Sequence, residues 1–94
     1  KRSRLIGVSD VSLGTVYMAL ISPRDLFLEA LIRNAVSIIL LLNHPSGDPE
    51  PSREDVRITG RVYEAGALIG IELLDHIIIG DNRFVSLKER GLFS

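Results

Sequence analysis

Ninety-four residues, 46% hydrophobic and 24% charged, suit one compact domain with a single core and leave no length for a second domain or a repeat array. The 11 Lys and Arg against 12 Asp and Glu give a formal net charge of -1, which lacks the basic excess of a sequence-independent phosphate binder. The absence of cysteine excludes a disulfide framework and any thiolate metal site, agrees with an expected cytoplasmic location, and leaves His and carboxylate as the only strong metal donors. No apolar run, Ile38 to Leu42 included, approaches the ~18 residues of a membrane span, and the opening residues do not read as a signal peptide, so a soluble protein without a membrane partner is expected. The sequence opens without Met and almost directly in the strand-like Leu5-Ile6-Gly7-Val8, as a fragment of a longer chain would.

In chain order, Leu5 to Val8 and Thr15 to Ile21 read as two strands of an antiparallel hairpin, with Ser9 to Gly14 as their connection. Ser22-Pro23-Arg24-Asp25 reads as a helix start: Ser is a good N-cap, Pro is tolerated at the first helical position, and the acid suits the free N–H groups. Phe27, Ala30 and Leu31 are expected to form the buried stripe of this helix. Val36 to Leu42 is almost continuously apolar, the pattern of a central strand covered on both faces. The Pro- and Gly-rich stretch Asn43 to Ser52 is a loop. Ser52 to Gly70 reads as a second helix, with Ile58, Val62, Ala65 and Ile69 toward the sheet and Gly70 as its stop. Ile71 to Ile79 and Phe84 to Leu87 are strands joined by the turn Gly80-Asp81-Asn82. The order β-β-α-β-α-β-β predicts a layered α/β domain over residues 1–94, with a mixed sheet and two helices.

Sites in open α/β sheets form where loops leave the carboxyl ends of strands, which directs attention to the loop after the central strand. His44 stands at its mouth and Asp55 in the first turn of the following helix, on the face that carries Ile58. These two could converge on one cation. Ser52-x-x-Asp55 is equally the signature of a helix cap, and Ser22-x-x-Asp25 repeats that form with no histidine nearby.

Asn43-His44-Pro45-Ser46-Gly47-Asp48-Pro49, Pro51-Ser52-x-x-Asp55 and Leu74-Asp75-His76-Ile77-Ile78-Ile79-Gly80 together resemble the bacterial RadC (DNA repair protein RadC) family, a member of the JAMM/MPN metalloprotease-like group. The resemblance extends to Gly14-Thr15, Ser22-Pro23-Arg24 and Ser86-Leu87-x-Glu89. It implies a cytidine-deaminase-like layered fold, a zinc cofactor and hydrolysis of peptide or isopeptide amides in a protein or peptide substrate. The group's pattern is an upstream Glu, then His-x-His-Pro, with Ser eight and Asp eleven positions after the second His; His44, Ser52 and Asp55 keep those offsets. His44 and Asp55 would then be metal ligands, and Ser52 would hydrogen-bond the attacking water or the oxyanion. Zinc in such a site lowers the pKa of a bound water to about 7, and the upstream Glu would serve as general base.

The sequence departs from that pattern at Leu42, which stands at the first histidine's position and offers no lone pair. The Glu is expected to lie, with an N-terminal strand, before Lys1. Zinc binding is therefore expected to be weak or absent and catalysis impaired. The alternative is a non-catalytic binding or scaffold module associated with DNA repair, with self-association through an exposed sheet edge as a further expectation. His76, the only other imidazole, is assigned a structural hydrogen-bonding role in preference to that of a replacement ligand, and Arg53, Arg57 and Arg61 a solvated helix face. Because no basic surface is evident, a titration with random duplex DNA at physiological salt is expected to show no nanomolar affinity; tight, salt-sensitive binding would contradict this.

Overall fold

The computed structural model describes residues 9–12, 14–19 and 22–94. A mixed five-stranded sheet is formed by β1 (Ser9–Ser12), β2 (Thr15–Ala19), β3 (Ser37–Asn43), β4 (Glu72–Gly80) and β5 (Arg83–Ser86), in that spatial order, with α1 (Pro23–Ile32) and α2 (Arg53–Ile69) as the crossovers. The β1–β2 and β4–β5 pairs are antiparallel, whereas β2, β3 and β4 run parallel. The α/β order is the one the sequence predicts. Ser9–Ser12, however, is a strand and not the connection, because its backbone pairs with Thr15, Val16 and Tyr17. The expected strand Leu5 to Val8, and the end of the second strand at Leu20 and Ile21, lie outside the described residues.

The two crossovers advance the chain in one direction across the sheet, from β2 to β3 to β4. The right-handed rule for such connections puts both helices on the same face. One cluster accordingly holds Leu26 and Ala30 of α1, Val62 of α2, and Val16, Met18, Ile38, Leu40, Leu73, Ile78 and Val85 of the strands. Ile38 and Leu40 are fully buried, but Ile39 and Leu41 on the opposite face are only half-buried, which corrects the expectation of a strand covered equally on both sides. That second face continues through Ile77 to Ile79 and Phe84, which are 40% and 65% exposed.

Both helical stripes also differ from the sequence reading. In α1 the seam runs through Leu26 and Ala30, four residues apart, with Phe27 packed beside it, while Leu31 is 55% exposed. In α2 the seam is Thr59, Val62 and Gly66, and Ile69 is half-exposed near the helix end. The apolar offsets of Ile58 and Ala65 lie beside this seam, so a polar threonine and a glycine occupy the positions nearest the sheet. Gly70 stops α2 in the left-handed conformation (φ 83°), as expected of a C-terminal glycine.

One-sided packing predicts unequal costs for neighbouring leucines of β3. Leu40→Ala should cost about 2–5 kcal/mol, and Leu41→Ala less than half of its partner's loss. Urea unfolding with unchanged m-values measures both; equal losses would contradict the one-sided core.

Candidate metal centre

β3 delivers His44 to the end of the sheet. Its backbone N–H donates to Ile79 O at 3.0 Å, extending the β3–β4 ladder one residue past Asn43. The chain then turns back, with Gly47 N–H on His44 O at 3.0 Å, and docks against the β4–β5 turn through Asp81 N–H on Gly47 O at 2.8 Å. The approach is so close that a Cβ at Gly80 would run into the Gly47 carbonyl. This seating fixes the imidazole. His44 Nδ1 lies 2.8 Å from Asp48 O, a group that can only accept, so Nδ1 carries the proton. A neutral His44 thus presents the lone pair of Nε2, and it presents it to Asp55 Oδ2 at 3.3 Å.

Asp55 is held from the other side by the start of α2. Ser52 Oγ accepts from Asp55 N–H at 3.0 Å, and Ser52 N–H donates to Asp55 Oδ2 at 2.8 Å, a complete capping box. Burial is the largest single influence on the Asp55 carboxyl and opposes its ionisation. The Ser52 hydrogen bonds and nearby His44 together outweigh it and hold the carboxyl below the ordinary carboxylate range. At Ser22 only half of this motif exists: Ser22 Oγ accepts from Asp25 N–H at 3.2 Å, while the Asp25 carboxylate lies against Arg24. The structure brings His44, Ser52 and Asp55 together, and it makes Ser52 the immediate partner of Asp55.

A family model described as a RadC-like JAB domain matches residues 1–92. The chain belongs to the RadC-like JAB domain family. It is 53% identical over 91 residues to a UPF0758 protein of Desulfitobacterium hafniense, an alignment covering 97% of this chain and 40% of that protein. It is 56% identical over 88 residues to one of Clostridium beijerinckii (94% and 38%) and 54% identical over 90 residues to one of Bacillus licheniformis (96% and 40%). The chain thus spans about 40% of the length of these curated relatives.

The donor chemistry of this RadC domain falls short of a complete zinc set. His44 and Asp55 could offer two donor atoms, and their 3.3 Å separation is compatible with the edge of a tetrahedron with Zn–N and Zn–O bonds of about 2.0–2.1 Å. Leu42, on the same side of β3 by strand alternation, packs against the apolar core and contributes no donor. Among the described residues no group of three His, Cys, Asp or Glu side chains could hold a metal ion. No helix among them is long and apolar enough to cross a membrane.

The residue that sequence reasoning underrated is Thr59. His76 is fully buried, and its Nδ1 lies 2.7 Å from Thr59 Oγ1, whose own proton goes to Asp55 O at 2.6 Å. The hydroxyl therefore accepts from His76 Nδ1–H, which leaves Nε2 as a lone pair with no partner among the described residues. Such a group costs about 1–3 kcal/mol. Asp75 faces the other way and ties down the chain after β5, accepting from Ser86 Oγ at 2.5 Å and Lys88 N–H at 3.0 Å. The solvated arginine face is seen at Arg57, paired with Glu54.

Burial holds the His76 pKa below its ordinary 6.5, against the opposing attraction of Asp55 and Asp75. Above pH 6.5 both folded and unfolded forms are neutral and the full stability is present; as pH falls below it the unfolded chain takes up the proton first, so stability is lost. The lowered pKa of Asp55 adds a second loss below about 3.8, where the unfolded carboxylate protonates first. Urea midpoints measured between pH 8 and 5 should therefore decline, and His76→Asn should flatten that decline; a flat profile for the unaltered chain would contradict the buried neutral imidazole.

Proposed function

We propose that this chain is an impaired zinc-dependent amide hydrolase domain acting on a peptide or protein substrate, in which His44 and Asp55 form half of a metal site and Leu42 occupies the place of the missing histidine. The supporting observation is the pairing of His44 Nε2 with Asp55 Oδ2 at 3.3 Å, with the imidazole tautomer set by the Asp48 carbonyl. In a complete site of this class zinc supplies an activated water for attack on an amide carbonyl. In this chain the residues' own contributions are narrower. His44 and Asp55 present two donors, Ser52 fixes the carboxylate and carries a hydroxyl suited to an oxyanion or water, and Leu42 withholds the third donor. The general base belongs to the upstream Glu of the family pattern, and the repair association and cytoplasmic setting belong to the same proposal.

Leu42 itself favours a second reading, a binding module that keeps the JAB scaffold without its chemistry, because an apolar side chain at a ligand position is compatible with docking and incompatible with tight zinc. Metal analysis at equal free zinc tests the placement of the site that both readings share. The chain should carry well under one equivalent of zinc, Leu42→His should raise affinity sharply, and His44→Ala or Asp55→Ala in the Leu42→His background should abolish the gain. Restoring the ligand should leave hydrolysis low, since a general base commonly contributes about 10²–10⁴-fold. Equal zinc content with and without Leu42→His, or binding that survives loss of His44 and Asp55, would place the site elsewhere.

A further inference from the structure

Thr59 and His76 form a buried polar pair beneath the site, and the functional reading above makes no use of it. Both residues are fully buried, one on α2 and one on β4. The Thr59 hydroxyl has a single proton, and it is committed to the Asp55 carbonyl at 2.6 Å. The only remaining way to satisfy that hydroxyl is to accept, and the group supplied is His76 Nδ1–H at 2.7 Å. The reverse tautomer would set two lone pairs against each other and bury an unpartnered Nε2–H. A bare helix cap does not require this arrangement, since α1 starts on Ser22 without any buried pair of the kind among the described contacts.

We propose that His76 is a positioning residue for the Asp55 carboxylate, acting through Thr59. The imidazole polarises the Thr59 hydroxyl, the hydroxyl clamps the Asp55 carbonyl, and the first turn of α2 is thereby pinned to β4. β4 also receives the His44 backbone through Ile79 O, so one strand sets the position of both donors. The unpaired Nε2 follows from this arrangement: the ring orientation that serves Thr59 leaves the other nitrogen buried without a hydrogen-bond partner among the described residues. This inference rests on Asp55 being the working carboxylate of the proposed site, yet its geometric content can be tested without metal.

Amide hydrogen exchange on the folded chain reads the two capping-box N–H groups, Ser52 and Asp55, against Val62 in the middle of α2. Thr59→Val, which keeps the shape and removes the hydroxyl, and His76→Leu should each speed exchange at Ser52 and Asp55 by about tenfold relative to Val62. Thr59→Ser and His76→Asn, which retain the hydroxyl and a donor near Nδ1, should stay within about threefold of the unaltered chain. In the Leu42→His background, the first two variants should also lower zinc affinity by about 10–100-fold and the second two should not. Uniform acceleration at all three amides, or no rescue by Thr59→Ser and His76→Asn, would reduce the pair to general core packing and overturn the proposal. If no variant binds zinc, the metal reading fails while the exchange pattern still decides the positioning role.

Discussion

A single carboxylate oxygen, Asp55 Oδ2, carries the arrangement on which the site depends. It accepts the Ser52 N–H at 2.8 Å and faces His44 Nε2 at 3.3 Å. The same atom is therefore a helix cap and a candidate ligand. An ionised carboxylate oxygen has two lone-pair directions, so the roles coexist without competing. The cap also lowers the entropic cost of the ligand, because a side chain already fixed by a capping box loses little freedom when a cation arrives. Electrostatics act in the same sense: the hydrogen bonds from Ser52 keep Asp55 ionised despite its partial burial, which is the form a cation requires.

The second constraint is the irregularity in β4. Ile38 pairs with Leu73 but Ile39 pairs with Asp75, so Leu74 is an extra residue in that strand. Strict alternation from Leu73 would send Asp75 toward the helices and His76 away from them. The bulge reverses this, burying His76 beneath α2 and turning Asp75 to the opposite face, where it fastens Ser86 and Lys88. One inserted residue thus supplies an imidazole under the site and a carboxylate for the chain after β5. In a regular strand of the same sequence the Thr59 hydroxyl would face an aspartate, and a second negative charge would lie beneath Asp55.

Much of this was legible in the residues, for reasons that can be named. The helix starts at Ser22 and Ser52, the stop at Gly70 and the turn after Gly80 are local steric and hydrogen-bonding preferences, and they appear where the sequence puts them. The convergence of His44 and Asp55 was legible because β3 and α2 are joined by one short loop. What failed was anything set by tertiary packing. Leu31 and Ile69 are as apolar as the buried residues beside them, and only the placement of both helices on one face decides that they remain exposed. The bulge at Leu74 leaves no compositional mark, so the inward turn of His76 had no sequence signal. Thr59 could have been suspected, since a threonine on the inward seam four residues after Asp55 is placed to return a bond to that carbonyl.

Leu42 also changes what the fold requires of its own charges. A histidine at that half-buried position would stand on the same side of β3 as His44, which faces Asp55, and would lean on a bound cation to justify its burial. Leucine instead joins the apolar core and adds contacts that need no metal. Asp48 and Ser52 hydrogen-bond the far sides of His44 and Asp55, while between the two the Nε2 lone pair and the carboxylate oxygen face one another at 3.3 Å. A leucine at this position makes that part of the core independent of any bound cation. In a domain whose sheet is packed by helices on one face alone, that independence bears directly on stability: a core without spare burial gains more from a leucine that always packs than from a histidine that packs well only when a cation is present.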